Sequence, residues 1–302
     1  MSEYHRPVML KESLEGLAID PDGTYVDVTF GGGGHSRAIL DRLSNKGRLI
    51  AFDQDPDAEA NTINDPRFML LPQNFRHLKR FLRLQGVGQA DGILADLGIS
   101  SHQIDTAERG FSTRFEGDLD MRMGQRGELT AFYVINSYSP DQLSEVLRSY
   151  GEIPNAKRAV TSIVQAREQA PIRTTGQLIT VLAPLAKGKP AKYFAQVFQA
   201  VRIEVNQEIA ALKEFLAQST EVLKEGSRLV VIAYHSLEDR LVKNYIKKGA
   251  FEGDAVKDFY GNPLMPFKPI GGKAIRPSEE EIDQNPRARS ARLRIAEKRS
   301  QP

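Results

Sequence analysis

The sequence predicts an α/β fold, a mostly parallel sheet flanked by helices and interrupted by an inserted helical domain. From residue 24, short apolar segments alternate with amphipathic ones, the pattern of parallel strands joined by crossover helices. Strand signals then vanish after Gly98 and return only at residue 227. The length of 302 residues exceeds the roughly 100–200 of a typical domain, which suits two domains or one carrying a large insertion. With 40% hydrophobic and 26% charged residues, the chain has the composition of an ordinary globular protein.

The first strands are read at TYVDVTF (24–30), GRLIAFD (47–53), RFMLLP (67–72) and DGILADLG (91–98), with helices at 35–43, 56–62 and 75–84. Residues 105–128 are rich in glycine and charge without a stable period, and read as a long ordered loop. Helical patterns follow at 139–151, where Ser139 is a natural N-cap and Gly151 a stop, and at 156–169, 175–185 and 193–202. A longer helix is expected over 206–224, then a stop at Gly226, a strand in SRLVVIAYHS, a helix at 237–248 and a Pro/Gly-rich loop at 261–277. The terminal RSARLRIAEK alternates as an outer strand, with Ala291, Leu293 and Ile295 inward and Arg292 and Arg294 outward. The expected organisation is therefore one domain over 1–104 plus 206–302, interrupted by a helical domain over 105–205.

The absence of cysteine excludes disulfides, thiolate nucleophiles and Cys-ligated metal clusters. The start, MSEYHRPVMLKESLEGL, lacks the basic and apolar pattern of a leader, and the longest clean apolar run, LVVIA at 229–233, is too short to cross a bilayer. A cytoplasmic protein with no membrane partner is the expectation. Net charge is only +2, but its distribution is uneven. Lys157, Arg158, Arg167, Arg173, Lys187, Lys189, Lys192 and Arg202 face the single acid Glu168, and Arg287, Arg289, Arg292, Arg294, Lys298 and Arg299 face Glu297. Two such zones suit a polyanion, because every phosphate neutralised releases counterions; they also suit solvated helix faces.

The segment YVDVTFGGGGHS (25–36) is the most informative. A strand runs into four glycines and then a helix, which permits a sharp turn and close approach of a ligand. Asp53 ends the next strand, where a carboxylate accepts both ribose hydroxyls of an adenosine. The glycine spacing does not fit G-x-G-x-x-G: counted from Gly31 the third position is Ser36, and from Gly32 it is Arg37. Asp27 would place negative charge where a pyrophosphate belongs, which suits the cationic ammonium and sulfonium of S-adenosylmethionine and disfavours a nicotinamide dinucleotide. Asp96 ends the fourth strand, so Asp27, Asp53 and Asp96 are expected to line one crevice at the carboxyl ends of the strands. His35, His102 and His235 share no metal-ligand spacing, and no metal is expected. His235 follows a strand at the crevice side and precedes Ser236, Glu238 and Asp239, a pattern that suits either a residue orienting the base or a helix cap, with the cap favoured.

The blocks HRPVML (5–10), DVTFGGGGHS (27–36), FDQDP (52–56), DLGISSHQID (96–105), ERGFS (108–112), DMRM (120–123), FQAVRIEVNQE (198–208), HSLEDR (235–240) and NPRARSARLR (285–294) closely resemble the bacterial ribosomal RNA small subunit methyltransferase H family. The resemblance runs from His5 to about Glu297. It implies a Rossmann-like methyltransferase sheet with an inserted helical domain that helps engage RNA. It also implies methylation of the exocyclic N4 of a cytidine in the decoding region of 16S rRNA, within the small ribosomal subunit. The cofactor contacts it implies are Gly33, Gly34, His35, Asp53, Phe75, Asp96 and Gln103, beside Asp27 read from charge. Asp96 stands where amino-directed methyltransferases place an Asp/Asn-Pro-Pro-aromatic motif, which makes it the expected catalytic acceptor. Here the motif is Asp-Leu-Gly-Ile and lacks the aromatic that would stack on an extruded base; Phe111, Phe115, Tyr133 and Tyr138 are candidates to replace it. The expected RNA contacts are Lys157, Arg158, Lys187, Lys189, Lys192, Arg202, Arg287 and Arg289, with Arg292 and Arg294 beside them on the outer strand. A non-catalytic RNA-binding assembly factor on the same fold is the alternative.

Overall fold

The computed structural model describes residues 7–125, 127–255, 257 and 259–300. His5 and Arg6 of the first block lie outside them. The chain divides into two units, Met1–Gly98 with Ile209–Pro302, and Ile99–Glu208.

The first unit starts with α1 (Leu10–Leu17), β1 (Thr24–Asp27), α2 (Gly34–Leu40), β2 (Arg48–Phe52), β3 (Phe68–Leu71), α3 (Leu78–Leu84) and β4 (Ala90–Asp96). The second holds α4 (Ser101–Asp105), α5 (Ala131–Ser137), α6 (Pro140–Ser149), α7 (Ala156–Gln169), α8 (Thr175–Leu182) and α9 (Pro190–Asn206). The chain ends with α10 (Glu208–Val222), β5 (Leu223–Ala233), α11 (Ser236–Lys248), β6 (Phe267–Ile275), α12 (Glu279–Gln284) and β7 (Arg292–Lys298).

The sheet has the order β3-β2-β1-β4-β5-β7-β6. Pairing is parallel from β3 to β5 and antiparallel on both sides of β7. Residues alternate between its two faces with the period of two that a pleated strand imposes. Ile93, Ala95, Leu229 and Val231 pack with Leu78, Leu82, Phe215 and Val242 from α3, α10 and α11. Leu94, Val230, Ile232 and Leu293 face the other way, onto Leu14, Leu17, Ile39 and Leu40 from α1 and α2. Burial on both faces explains why the parallel strands read as continuous apolar runs.

The expected loop at 261–277 contains the edge strand β6. Its register with β7 shifts between Ile270 and Ile275, around Gly271 and Gly272, and that bulge destroys the alternation by which a strand is read. In consequence β7 is not the outer strand; it lies between β5 and β6. Arg292 and Arg294 are not free phosphate contacts either, since both are turned to Asp239. Arg292 Nη1 lies 3.0 Å from Asp239 Oδ2, and Arg294 donates from Nε to Oδ1 at 2.7 Å.

The second unit folds around Val134, Ile135, Leu147, Ile163, Leu178, Val197 and Val201. Ser139 caps α6 in a reciprocal pair with Gln142. The glycine-rich loop before α5 is ordered by its own apolar residues, because Phe111, Leu119, Met121 and Met123 join that core. Asn206 ties the loop down through Met121 O and Met123 N, at 2.8 and 2.7 Å.

Candidate active site

The crevice of the first unit opens at the topological switch between β1 and β4, where chain order departs in opposite directions. Past β1, Val28 N donates to Leu94 O of β4 and Phe30 N donates to Phe52 O of β2, so the chain leaves between its two neighbours. It enters a turn in which Gly33 has a φ of 75° and caps α2. A Cβ at Gly33 would stand 2.9 Å from the Phe30 ring, so both conformation and space require glycine.

Three carboxylates lie at these strand ends. Asp27 is 1% exposed. Its Oδ2 accepts from Ser36 Oγ at 2.7 Å and its Oδ1 from Thr29 N at 3.1 Å. Charge alone predicts that this carboxylate faces the ligand; the fold turns it inward, where it ties the end of β1 to α2. Asp53 is half-buried at the end of β2, and its two oxygens accept from Gly31 N at 2.7 Å and Asp55 N at 2.8 Å. Each oxygen retains capacity for a second donor, as two ribose hydroxyls require. Asp96 ends β4, with Oδ1 accepting from the Tyr234 hydroxyl at 2.8 Å and its backbone N donating to Thr29 Oγ1 at 2.7 Å.

His35, the second residue of α2, is buried with Nε2 3.1 Å from Val8 O. A carbonyl only accepts, so Nε2 carries a proton, and Nδ1 lies 3.8 Å from Asp96 Oδ2. Burial lowers the His35 pKa, opposed by Asp96, and favours the neutral ring. Phe75 follows β3 and packs edge-on against Phe215, with ring centroids 5.5 Å apart.

Burial is the dominant influence on all three acids. It raises Asp27, and it pushes Asp53 and Asp96 up to about 6 each, with the neighbouring carboxylates adding to the push. Among the described residues, no Lys or Arg lies within ion-pair distance of any of the three. Buried acids without a counterion are costly unless a ligand supplies the positive charge. The crevice is thus suited to a cation bearing a ribose, as S-adenosylmethionine is, and unsuited to a pyrophosphate.

Other expected residues divide by location. His235 is the N-cap of α11, with Nδ1 accepting from Glu238 N at 3.4 Å. Gln103 belongs to the second unit, where its Oε1 accepts from Ser100 N at 3.1 Å in the cap of α4. In the same unit Lys157, Arg158, Lys187, Lys189 and Lys192 are exposed. Arg202 is not: its Nε and Nη2 bond both oxygens of Glu208 at 2.8 and 2.9 Å, and its side chain is 12% exposed, so it is no free phosphate ligand. Arg289 is exposed and Arg287 half-buried in the first unit. Of the stacking candidates, Phe115 and Tyr133 are exposed, Phe111 is buried, and Tyr138 donates to Glu204 at 2.7 Å. Sequence reasoning passed over Thr29, Ser36 and Tyr234. Tyr234 directly follows an apolar strand, the same rank that marked Asp53 and Asp96, and that was the available signal.

Comparison with known proteins shows the family. A model described as the MraW methylase family matches residues 2–299. The protein named Ribosomal RNA small subunit methyltransferase H in Christiangramia forsetii is 58% identical over 299 residues, covering 99% of each chain. Its namesake in Bacteroides thetaiotaomicron is 56% identical over 297 residues, covering 98% of each. The crystal structure of an rRNA methylase from Streptococcus thermophilus is similar with a TM-score of 0.43 and 13% identity, over 99% of this chain and 100% of that one. With a family match along almost its whole length, this chain belongs to the MraW methylase family and is an S-adenosylmethionine-dependent methyltransferase.

Proposed function

We propose that this methyltransferase modifies rRNA of the small ribosomal subunit in the cytoplasm, at the exocyclic N4 of a cytidine in the decoding region of 16S rRNA. The observation that carries this reading is the Asp96 carboxylate, set at the end of β4 with Oδ1 held by the Tyr234 hydroxyl at 2.8 Å and, among the described residues, no Lys or Arg within ion-pair distance; burial pushes its pKa up to about 6. The amino lone pair of cytosine is conjugated with its ring, so attack at a methyl group requires an acceptor on one N–H. Asp96 is ionised at neutral pH and serves as that acceptor, and a pKa close to the working pH lets it take up the proton. S-adenosylmethionine supplies the electrophilic methyl group.

The remaining residues bind and orient. Asp53 accepts the ribose hydroxyls, Phe75 packs on the adenine, and Gly33, Gly34 and His35 shape the turn. The family resemblance assigns Gln103 to the methionine end. The exposed Lys157, Arg158, Lys187, Lys189, Lys192 and Arg289, with Arg287, contact RNA phosphates; the Glu208 ion pair removes Arg202 from that group. The names of the relatives, at 56–58% identity, support rRNA as substrate.

The test is to incubate the protein with S-adenosylmethionine and small ribosomal subunits that lack the modification, then to identify the rRNA nucleosides by mass spectrometry. N4-methylcytidine is expected. Methylation at another atom would refute the N4 assignment, and rRNA binding without methyl transfer would favour an assembly factor.

A further inference from the structure

Asp96 has two oxygens, and the reaction needs one of them held in a single orientation. Within the first unit, the groups facing it are His35 from α2, Asp27 from β1, Tyr234 past β5 and Glu238 from α11. Of these four, only Tyr234 donates a hydrogen bond to its carboxylate: the nearer nitrogen of His35 stands 3.8 Å away, beyond hydrogen-bond reach, and the other two are acids. Thr29 holds the Asp96 backbone and not its side chain.

Tyr234 is itself well fixed. Its backbone N donates to Glu238 Oε2 at 3.1 Å, and its ring lies beside Gly98, where an added Cβ would meet Cδ2 at 3.5 Å. Burial raises the Tyr234 pKa well above its ordinary value, reinforced by Asp96, so the hydroxyl keeps its proton and acts as a donor throughout the physiological range.

We propose that Tyr234 is a positioning residue for methyl transfer: by donating to Oδ1 of Asp96 it locks the carboxylate so that Oδ2 is the oxygen presented to the acceptor amine. The proposal rests on the reading of Asp96 as that acceptor. In the step, the amine lone pair forms the N–CH3 bond while the CH3–S bond breaks with its electron pair on sulfur, and the nitrogen gives one proton to Oδ2. A carboxylate free to rotate would present a correct oxygen for only part of the time, and the misplacement is a direct loss in rate.

The test is Tyr234→Phe, which removes one hydroxyl and keeps the ring. About a tenfold fall in kcat is expected, the size of one hydrogen bond to a charged group, with KM for S-adenosylmethionine unchanged. Losing the donor also raises the Asp96 pKa, so the acid limb of kcat moves to higher pH. The same shift is expected in the carboxyl 13C titration of Asp96 in the protein without cofactor, a readout independent of activity. Fluorotyrosine at 234, a stronger donor, moves that titration the other way and covers the case in which the Phe variant folds poorly. Unchanged kcat and unchanged Asp96 titration would overturn the proposal. If Asp96→Asn abolishes turnover while Tyr234→Phe does not lower it, only the role of Tyr234 fails; if Asp96→Asn is fully active, the reading of Asp96 fails and Tyr234 with it.

Discussion

Two regions of the same sheet treat buried acids in opposite ways. Beside β5 and β7, Asp239 is met by Arg292 and Arg294, and their hydrogen bonds and charges outweigh burial and hold its carboxyl below the ordinary range. Around β1, β2 and β4, Asp53 and Asp96 have no such partner among the described residues, and burial pushes them up to about 6. The difference separates a joint from a site: the first acid is neutralised inside the protein, and the others are left for a ligand to neutralise.

The contrast can be broken from either side. Asp96→Asn is expected to lower turnover by about 10²–10⁴-fold, the typical contribution of an acid–base group, and also to weaken cofactor binding in a direct titration, since it removes one of the carboxylates left for the cationic donor. Asp53→Ala should act on binding instead, weakening S-adenosylmethionine by about ten- to a hundredfold through the loss of charge-assisted bonds to ribose. Asp239→Asn should leave both properties intact and lower stability by about 2 kcal/mol, since it strands two arginines of which Arg292 is 38% exposed. Thermal unfolding with and without cofactor checks this.

Acidity acts differently on the two regions. Asp53 binds ribose as the ionised acceptor, so affinity for S-adenosylmethionine should fall as pH drops through about 6. The contribution of Asp239 is fully present above the ordinary carboxylate pKa of about 3.9 and is lost only as pH falls through its lowered value. Isothermal titration and thermal melts across this range separate the two. The smallest effect is expected in the second unit, where Lys157→Glu or Lys189→Glu should weaken subunit binding modestly. Each should make the binding less salt-dependent, by a slope of about 0.7–0.9 for every phosphate no longer neutralised.

Much of the fold was legible in the sequence for a physical reason. Parallel strands buried on both faces leave apolar runs, and β1, β2 and β4 were marked by the acids at their ends. β6 was hidden because Gly271 and Gly272 interrupt its period. In the site, residue types were readable and their directions were not. Charge pattern does not say that Arg202 turns to Glu208 or that Arg292 and Arg294 turn to Asp239, since those partners come from other elements. Nor does it say that Ser36 and Thr29 satisfy Asp27 from within.

The central claim is that the crevice acids are left uncompensated for a cationic methyl donor. Carboxyl 13C titration of Asp53, Asp96 and Asp239, with and without S-adenosylmethionine, tests it most directly. Without the donor, Asp53 and Asp96 should titrate near 6 and Asp239 below the ordinary range; the donor should lower the first two and leave the third in place. Titration of Asp53 and Asp96 at about 4 in the free protein, the ordinary carboxylate value, would contradict it.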